Sequence, residues 1–168
     1  CFARPTHAYM GLSAGLDFET KLFAKFDAAR LLERELSRPG YEPKTIAIGT
    51  NTDPYQPIEK QRRIMRDILE VLDAANHPVG IVTKSALVTR DIDILSRMAS
   101  RGLAKVALSV TTLDRKLART MEPRAATPGM LPGRSLREVD GVGVGEEVSV
   151  SAVDYGVDPV MGALANAD

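Results

Sequence analysis

Across the first 128 residues, short apolar runs alternate with longer stretches whose apolar residues recur every three or four positions. The first spacing is that of strands and the second that of amphipathic helices. Residues 16–25 are expected to be extended. Asp27 is placed to cap a helix over residues 28–36, with Leu31, Leu32 and Leu36 on one face. Thr45-Ile46-Ala47-Ile48 predicts a short strand ending at Gly49, and residues 58–75 predict one long helix with Ile64, Ile68, Leu69, Val71 and Leu72 on its apolar face. A second strand is predicted over residues 78–83 and a helix over residues 90–101, with Ile92, Leu95, Met98 and Ala99 inward. A third strand is predicted over residues 105–110, and a short helix over residues 114–121. Near-continuous apolar strands separated by helices imply parallel pairing with both faces covered. The predicted class is therefore α/β, a βαβαβ unit with right-handed crossovers.

The pattern breaks near residue 129. From Gly129 onward there are two arginines, no lysine and seven acidic residues, and seven of the 13 glycines. That stretch carries a net charge of −5, leaving +5 on residues 1–128. It opens on Gly129-Met130-Leu131-Pro132-Gly133, passes through the alternation Gly141-Val142-Gly143-Val144-Gly145, and holds one candidate strand over residues 148–153. Two units are expected: a core over residues 1–128 and a divergent, poorly ordered tail over residues 129–168. A frameshift in the coding sequence near codon 129 would produce such a junction; a natural insertion is the rival explanation.

Composition narrows the function classes. With 22 basic and 22 acidic side chains the formal charge is zero, which argues against a strongly electropositive surface for duplex DNA. No run approaches the roughly 18–20 apolar residues that cross a bilayer. Cys1 is the single cysteine, so no internal disulfide forms, and a reducing cytoplasm is the expected compartment.

In parallel α/β folds, ligands bind where the carboxyl ends of the strands converge. Polar residues concentrate at those ends here. The first strand runs into Gly49-Thr50-Asn51-Thr52-Asp53-Pro54-Tyr55-Gln56-Pro57, the second into Thr83-Lys84-Ser85, and the third into Ser109-Val110-Thr111-Thr112. A small molecule bearing a carboxylate could be held by Lys84 and Arg124, with the Thr/Asn/Asp loop accepting hydrogen bonds from its amine. Each loop also has a plain structural reading as a helix cap or turn. His7 and His77 are too far apart to form a metal-ligand spacing; His77 reads as structural, and His7, beside the chain's first loop, as structural or as a support for a metal ligand there. Tyr9 and Tyr55 could stack on a base or simply pack. The glycines at 141, 143 and 145 lack the dinucleotide-binding spacing.

Four strings carry a resemblance: Cys1-Phe2-Ala3-Arg4-Pro5-Thr6-His7, the loop over residues 49–57, Thr83-Lys84-Ser85, and Glu122-Pro123-Arg124-Ala125-Ala126-Thr127-Pro128. In that order they resemble the branch of the radical S-adenosylmethionine (SAM) superfamily related to spore photoproduct lyase and described as DNA repair photolyase-like. The resemblance covers residues 1–128 and implies part of a partial (β/α)6 barrel. It implies a 4Fe-4S cluster ligated by a C-x3-C-x2-C trio, of which Cys1 matches the third cysteine. It also implies SAM contacts by Thr50, Asn51, Thr52 and Asp53 on the amino group, and by Lys84, Ser109 and Arg124 on the carboxylate or ribose. The activity implied is reductive cleavage of SAM to a 5′-deoxyadenosyl radical, which needs an external electron donor. The branch raises DNA or nucleotides as substrate, for which the neutral charge gives no independent support. One thiolate cannot hold a four-iron cluster, so the chain as written is expected to be inactive, its partner cysteines lying upstream. A non-catalytic α/β module binding a metabolite or phosphate is the alternative.

Overall fold

A computed structural model describes residues 3–123 and 125, together with the backbone of residues 147–150 and 160–163. The elements are α1 (Leu16–Thr20), α2 (Ala28–Leu36), β1 (Ile46–Ile48), α3 (Glu59–Arg62), α4 (Ile64–Ala74), β2 (Val79–Thr83), α5 (Ile92–Ala99), β3 (Ala104–Leu108) and α6 (Arg115–Met121). Two 3-10 segments, Arg4–Met10 and Ala86–Asp91, complete the described part of the first 125 residues.

The strands form one parallel sheet in the order β1-β2-β3, with Ile46 opposite Val79 and Ile81 opposite Val106. The protein is thus α/β around a small parallel sheet. β4 (Glu147–Val150) and β5 (Val160–Ala163) pair antiparallel in a separate sheet, Val150 opposite Val160. The strand expected over residues 148–153 is present as far as Val150; residues 151–153 and the glycine–valine alternation at 141–145 lie outside the described residues. Among the described residues, no helix is long and apolar enough to cross a membrane.

The core lies between the central strand and two helices. Val79 and Ile81 of β2, Met65, Leu69 and Leu72 of α4, and Ile94, Leu95 and Met98 of α5 are buried together, with Leu32 and Leu36 of α2 against them. Each such side chain taken fully from water stabilises the fold by about 1.5–3 kcal/mol. β2 is sheltered along its length, as its apolar run requires. β3 is not: Lys105, Val106 and Ala107 are exposed, so the expectation that every strand is covered on both faces fails at this edge.

Local differences from the sequence pattern have local causes. Residues 16–20 are helical rather than extended, because the Asp17 carboxylate accepts the Ser13 amide at 3.0 Å and pairs with Lys21 one turn on at 3.1 Å. Asp27 stands at the N-cap of α2, its carbonyl accepting the Leu31 amide at 2.9 Å, but its side chain makes no cap bond and pairs instead with Arg30 at 3.0 Å. The long helix over residues 58–75 is broken at Arg63, whose φ of +54° is left-handed. The buried Glu59 side chain makes the second start possible by accepting the Met65 amide at 2.9 Å, which supplies α4 with a cap. Residues 90–91 belong to a 3-10 segment, and α5 turns Ile94 inward while Ile92 and Ala99 are exposed. Asp114 does cap α6, accepting the amides of Lys116 and Leu117 at 2.7 and 3.1 Å.

His77 is structural, as its position before β2 suggests. It is buried, its Nδ1 lies 3.1 Å from the Pro78 carbonyl and its Nε2 2.8 Å from the Tyr41 hydroxyl. The Pro78 carbonyl can only accept, so Nδ1 carries the proton directed at it. Tyr41→Phe leaves Nε2 buried and unpaired, and is expected to lower unfolding free energy by about 1–2 kcal/mol in urea denaturation with an unchanged slope.

Candidate functional site

All three strands of the parallel sheet end on the same edge, and their loops meet there. The closeness begins with Gly49, at φ +97°, where a β-carbon would sit 2.0 Å from the Val82 carbonyl oxygen. Only glycine brings the end of β1 so near to β2. Four residues on, Asp53 joins the two loops. Its Oδ1 accepts the Thr83 hydroxyl at 2.6 Å and the Tyr55 amide at 2.8 Å, and its Oδ2 accepts the Lys84 amide at 2.7 Å. Thr83 Oγ1 in turn accepts the Ser85 amide at 3.0 Å, and Ser85 Oγ accepts the Leu87 amide at 3.2 Å. The Thr-Lys-Ser string is therefore a folded turn with an acid from the neighbouring loop inserted into it.

Between these anchors, Thr50, Asn51 and Thr52 are exposed, and their side chains make no hydrogen bond among the described residues. They form an open polar tip. Lys84 reaches across the rim, donating to Thr111 Oγ1 at 3.2 Å and pairing with Glu122 beyond the end of α6. Ser109 is exposed just past β3 and donates its amide to the Thr83 carbonyl at 2.9 Å, so it is not the buried strand residue that its apolar neighbours suggest. Ser109, Thr111, Thr112 and Glu122 line a concavity of about 10 Å³, the room of roughly one water. A larger ligand would lie on the open rim rather than inside it.

The structure thus brings Thr50, Asn51, Thr52, Asp53, Lys84 and Ser109 to adjacent strand ends. Cys1 and Arg124 lie outside the described residues. His7 packs edge-on against Phe18, with ring centres 4.9 Å apart, and its Nε2 lies 3.1 Å from the Lys21 carbonyl. Tyr9 is 90% exposed, whereas Tyr55 is buried to 2% and makes no open stacking surface.

Behind the rim is a group that the linear pattern does not reveal. Tyr55 donates its hydroxyl to Asp91 Oδ2 at 3.1 Å; Asp91 is fully buried and also takes Arg90 at 2.6 and 2.9 Å and Arg66 at 3.3 Å. Arg90 continues to the Glu59 carbonyl at 2.7 Å and its Oε1 at 3.1 Å, and Arg66 forks onto Asp93 at 2.8 and 3.0 Å. Burial, reinforced by the Asp91 charge and hydrogen bond, pushes the Tyr55 hydroxyl well above the ordinary tyrosine range. The Arg66 hydrogen bonds, working against slight burial, hold Asp93 down at about 2.

Burial opposes ionisation of Glu122, and hydrogen bonds from Lys84 and Thr111 outweigh it, so its carboxyl titrates below the ordinary 4.5. A carboxyl lowered in the folded state adds stability that is complete above its unfolded pKa and is lost as pH falls through the lower folded value. Lys84→Ala removes the principal stabilising partner. A carbon-detected NMR titration of Glu122 is expected to show its midpoint moving up in that variant.

No protein-family model matches the chain, and no solved structure does. Over 128 residues, 76% of this chain, it is 40% identical to an uncharacterized protein of Mycobacterium tuberculosis and to one of Mycobacterium bovis. It is 33% identical over 78 residues, 46% of the chain, to an uncharacterized protein of Methanocaldococcus jannaschii, covering 29% of that relative. The chain spans 38% of the length of the mycobacterial relatives.

Proposed function

We propose that this chain carries the SAM-binding part of a radical SAM protein from the branch related to spore photoproduct lyase, its sheet being a portion of a partial (β/α)6 barrel. One observation carries the reading: the exposed Thr50-Asn51-Thr52 tip, Lys84 and Ser109 stand on one rim at adjacent parallel strand ends. Carbonyl and hydroxyl oxygens of the tip suit the ligand's amine. Lys84 suits its carboxylate, which would take the place that Glu122 now holds. Arg124 is the second cation proposed for that carboxylate, and Ser109 a hydroxyl for the ribose. The Asp53 carboxylate accepts three protein hydrogen bonds that fix the tip, and keeps a further lone pair for the ligand's amine.

A 4Fe-4S cluster is a different matter. Cys1 is the one thiolate in the sequence, and four irons need more than one. The donor set of this chain does not fit the cluster by itself. Reductive SAM cleavage, an external electron donor, a DNA or nucleotide substrate and a cytoplasmic setting are all proposals for a longer protein. The competing reading is a non-catalytic module binding a metabolite or phosphate at the same rim.

The test extends the coding sequence upstream, reconstitutes the product anaerobically with iron and sulfide, and assays 5′-deoxyadenosine formed from SAM under a strong reductant. Formation of 5′-deoxyadenosine, lost in Lys84→Ala, is the expected result. SAM binding without cleavage, or phosphate binding alone, favours the non-catalytic module. The 168-residue chain treated in parallel is expected to give no stable four-iron absorption.

A further inference from the structure

The tip at residues 50–52 is strung between two fixed points. At one end Gly49 lies against the Val82 carbonyl, and Asp53 is bonded to Thr83 and Lys84. At the other, Tyr55 turns its ring into the core and its hydroxyl onto Asp91. Asp91 does not move freely, since Arg90 grips both of its oxygens and Arg66 reaches the first of them. Arg90 also crosses to the backbone and side chain of Glu59, whose carboxylate holds the start of α4. Four elements are therefore tied to Asp91, directly or through Arg90: the loop after β1, α3, α4 and the 3-10 segment before α5.

Charge is balanced at the centre of this group, with Glu59 and Asp91 against Arg66 and Arg90. Asp93 lies outside it, on the exposed side of Arg66. A balanced buried network often adds little net stability over an apolar core of the same shape. Fully bonded, however, it holds its members in one arrangement. What it holds here is the residue two positions after Asp53. If the hydroxyl were released, the Tyr55 amide would loosen from Asp53, and Asp53 would loosen from the turn bearing Lys84.

We infer that Tyr55, Asp91 and Arg90 are positioning residues, which act through Asp53 to hold the exposed 50–52 tip and Lys84 in one fixed geometry for a bound ligand. The inference rests on the rim being the binding site proposed above, but the holding action can be measured without any ligand.

The amides of Tyr55 and Lys84 are the reporters, because both are bonded to Asp53. Tyr55→Phe keeps the ring and removes only the hydroxyl, and Asp91→Asn keeps the size of its side chain and removes its charge. Leu72→Val, a core change in α4 remote in sequence from the loop, serves as a control for general destabilisation, compared at equal distance below each melting temperature. Hydrogen exchange of the 168-residue chain is expected to show Tyr55 and Lys84 amides losing protection about tenfold more in Tyr55→Phe and Asp91→Asn than in Leu72→Val. Equal protection in all three overturns the inference. Calorimetric titration with SAM is expected to give a Kd about tenfold weaker in Tyr55→Phe than in the parent and no comparable loss in Leu72→Val. A parent chain that binds no SAM overturns the proposed ligand, while the exchange comparison still decides whether these residues hold the tip. Binding lost equally in Tyr55→Phe and Leu72→Val overturns the positioning role and leaves the ligand standing.

Discussion

Gly49→Ala is expected to lose most of the cooperative stability of the parallel sheet, by about 3 kcal/mol or more, on the scale of the most damaging single substitutions. The reason is geometric and has two parts. A β-carbon would stand 2.0 Å from the Val82 oxygen, 3.0 Å from its carbonyl carbon and 3.2 Å from Pro54 Cδ. The first two atoms are backbone of the central strand, so no rotamer change relieves the contact. The φ of +97° is itself costly for any residue with a side chain. Relief requires β1 to move away from β2, which breaks the pairing of Ile48 with Ile81 and draws Ile46 and Ile48 off the core. Urea denaturation followed by circular dichroism measures the loss. Gly40→Ala is the control: it shares a positive φ, at +79°, but its β-carbon meets nothing within 4 Å. A much smaller loss is expected there, about 1 kcal/mol. Equal losses at the two positions would mean that backbone strain, and not the approach of the two strands, sets the requirement for glycine at position 49.

The same contrast explains how much could be read from the chain alone. Apolar runs were sufficient to place β1, β2 and β3, because each is short, rich in Ile, Val and Ala, and bounded by polar turns. Helical spacing located α2 to the residue. The gathering of polar residues at strand ends was legible too, since a parallel sheet sends all its carboxyl ends to one edge. The break at Arg63 was not legible. No glycine or proline marks it, and it depends on a glutamate reaching six residues forward to Met65. Nor was the exposure of β3, because an apolar run looks the same whether or not another element covers it. The Tyr55–Asp91 contact spans 36 residues and the Arg66–Asp93 pair 27, and each residue alone reads as an ordinary solvated or packed side chain. Asp53 lies between these cases: its place in the loop was visible, but that its oxygens face Thr83, Lys84 and Tyr55 is a consequence of the strand register.

That arrangement makes Asp53→Ala the second large effect. Three donors lose their acceptor together: the hydroxyl of Thr83, itself 1% exposed, and the amides of Tyr55 and Lys84. A hydrogen bond to a charged group is worth about 1.5–3 kcal/mol, and the contributions of neighbouring bonds do not simply add. Water can reach part of this half-buried site, so the expected loss of unfolding free energy is about 3 kcal/mol rather than the full sum. Asp53→Asn is the sharper variant. Its carbonyl oxygen can still accept from Thr83 and Tyr55, but its amide nitrogen must then face the Lys84 amide, donor against donor. About half the loss of the alanine variant is expected, with protection lost at the Lys84 amide and kept at Tyr55. A residue whose work was to contact a ligand directly would behave otherwise: both substitutions would leave the free protein's melting temperature unchanged and weaken only binding. Thermal unfolding of the unliganded chain therefore separates a strut between two strand ends from a ligand contact. The three bonds on Asp53 are why the strut's result is the one expected.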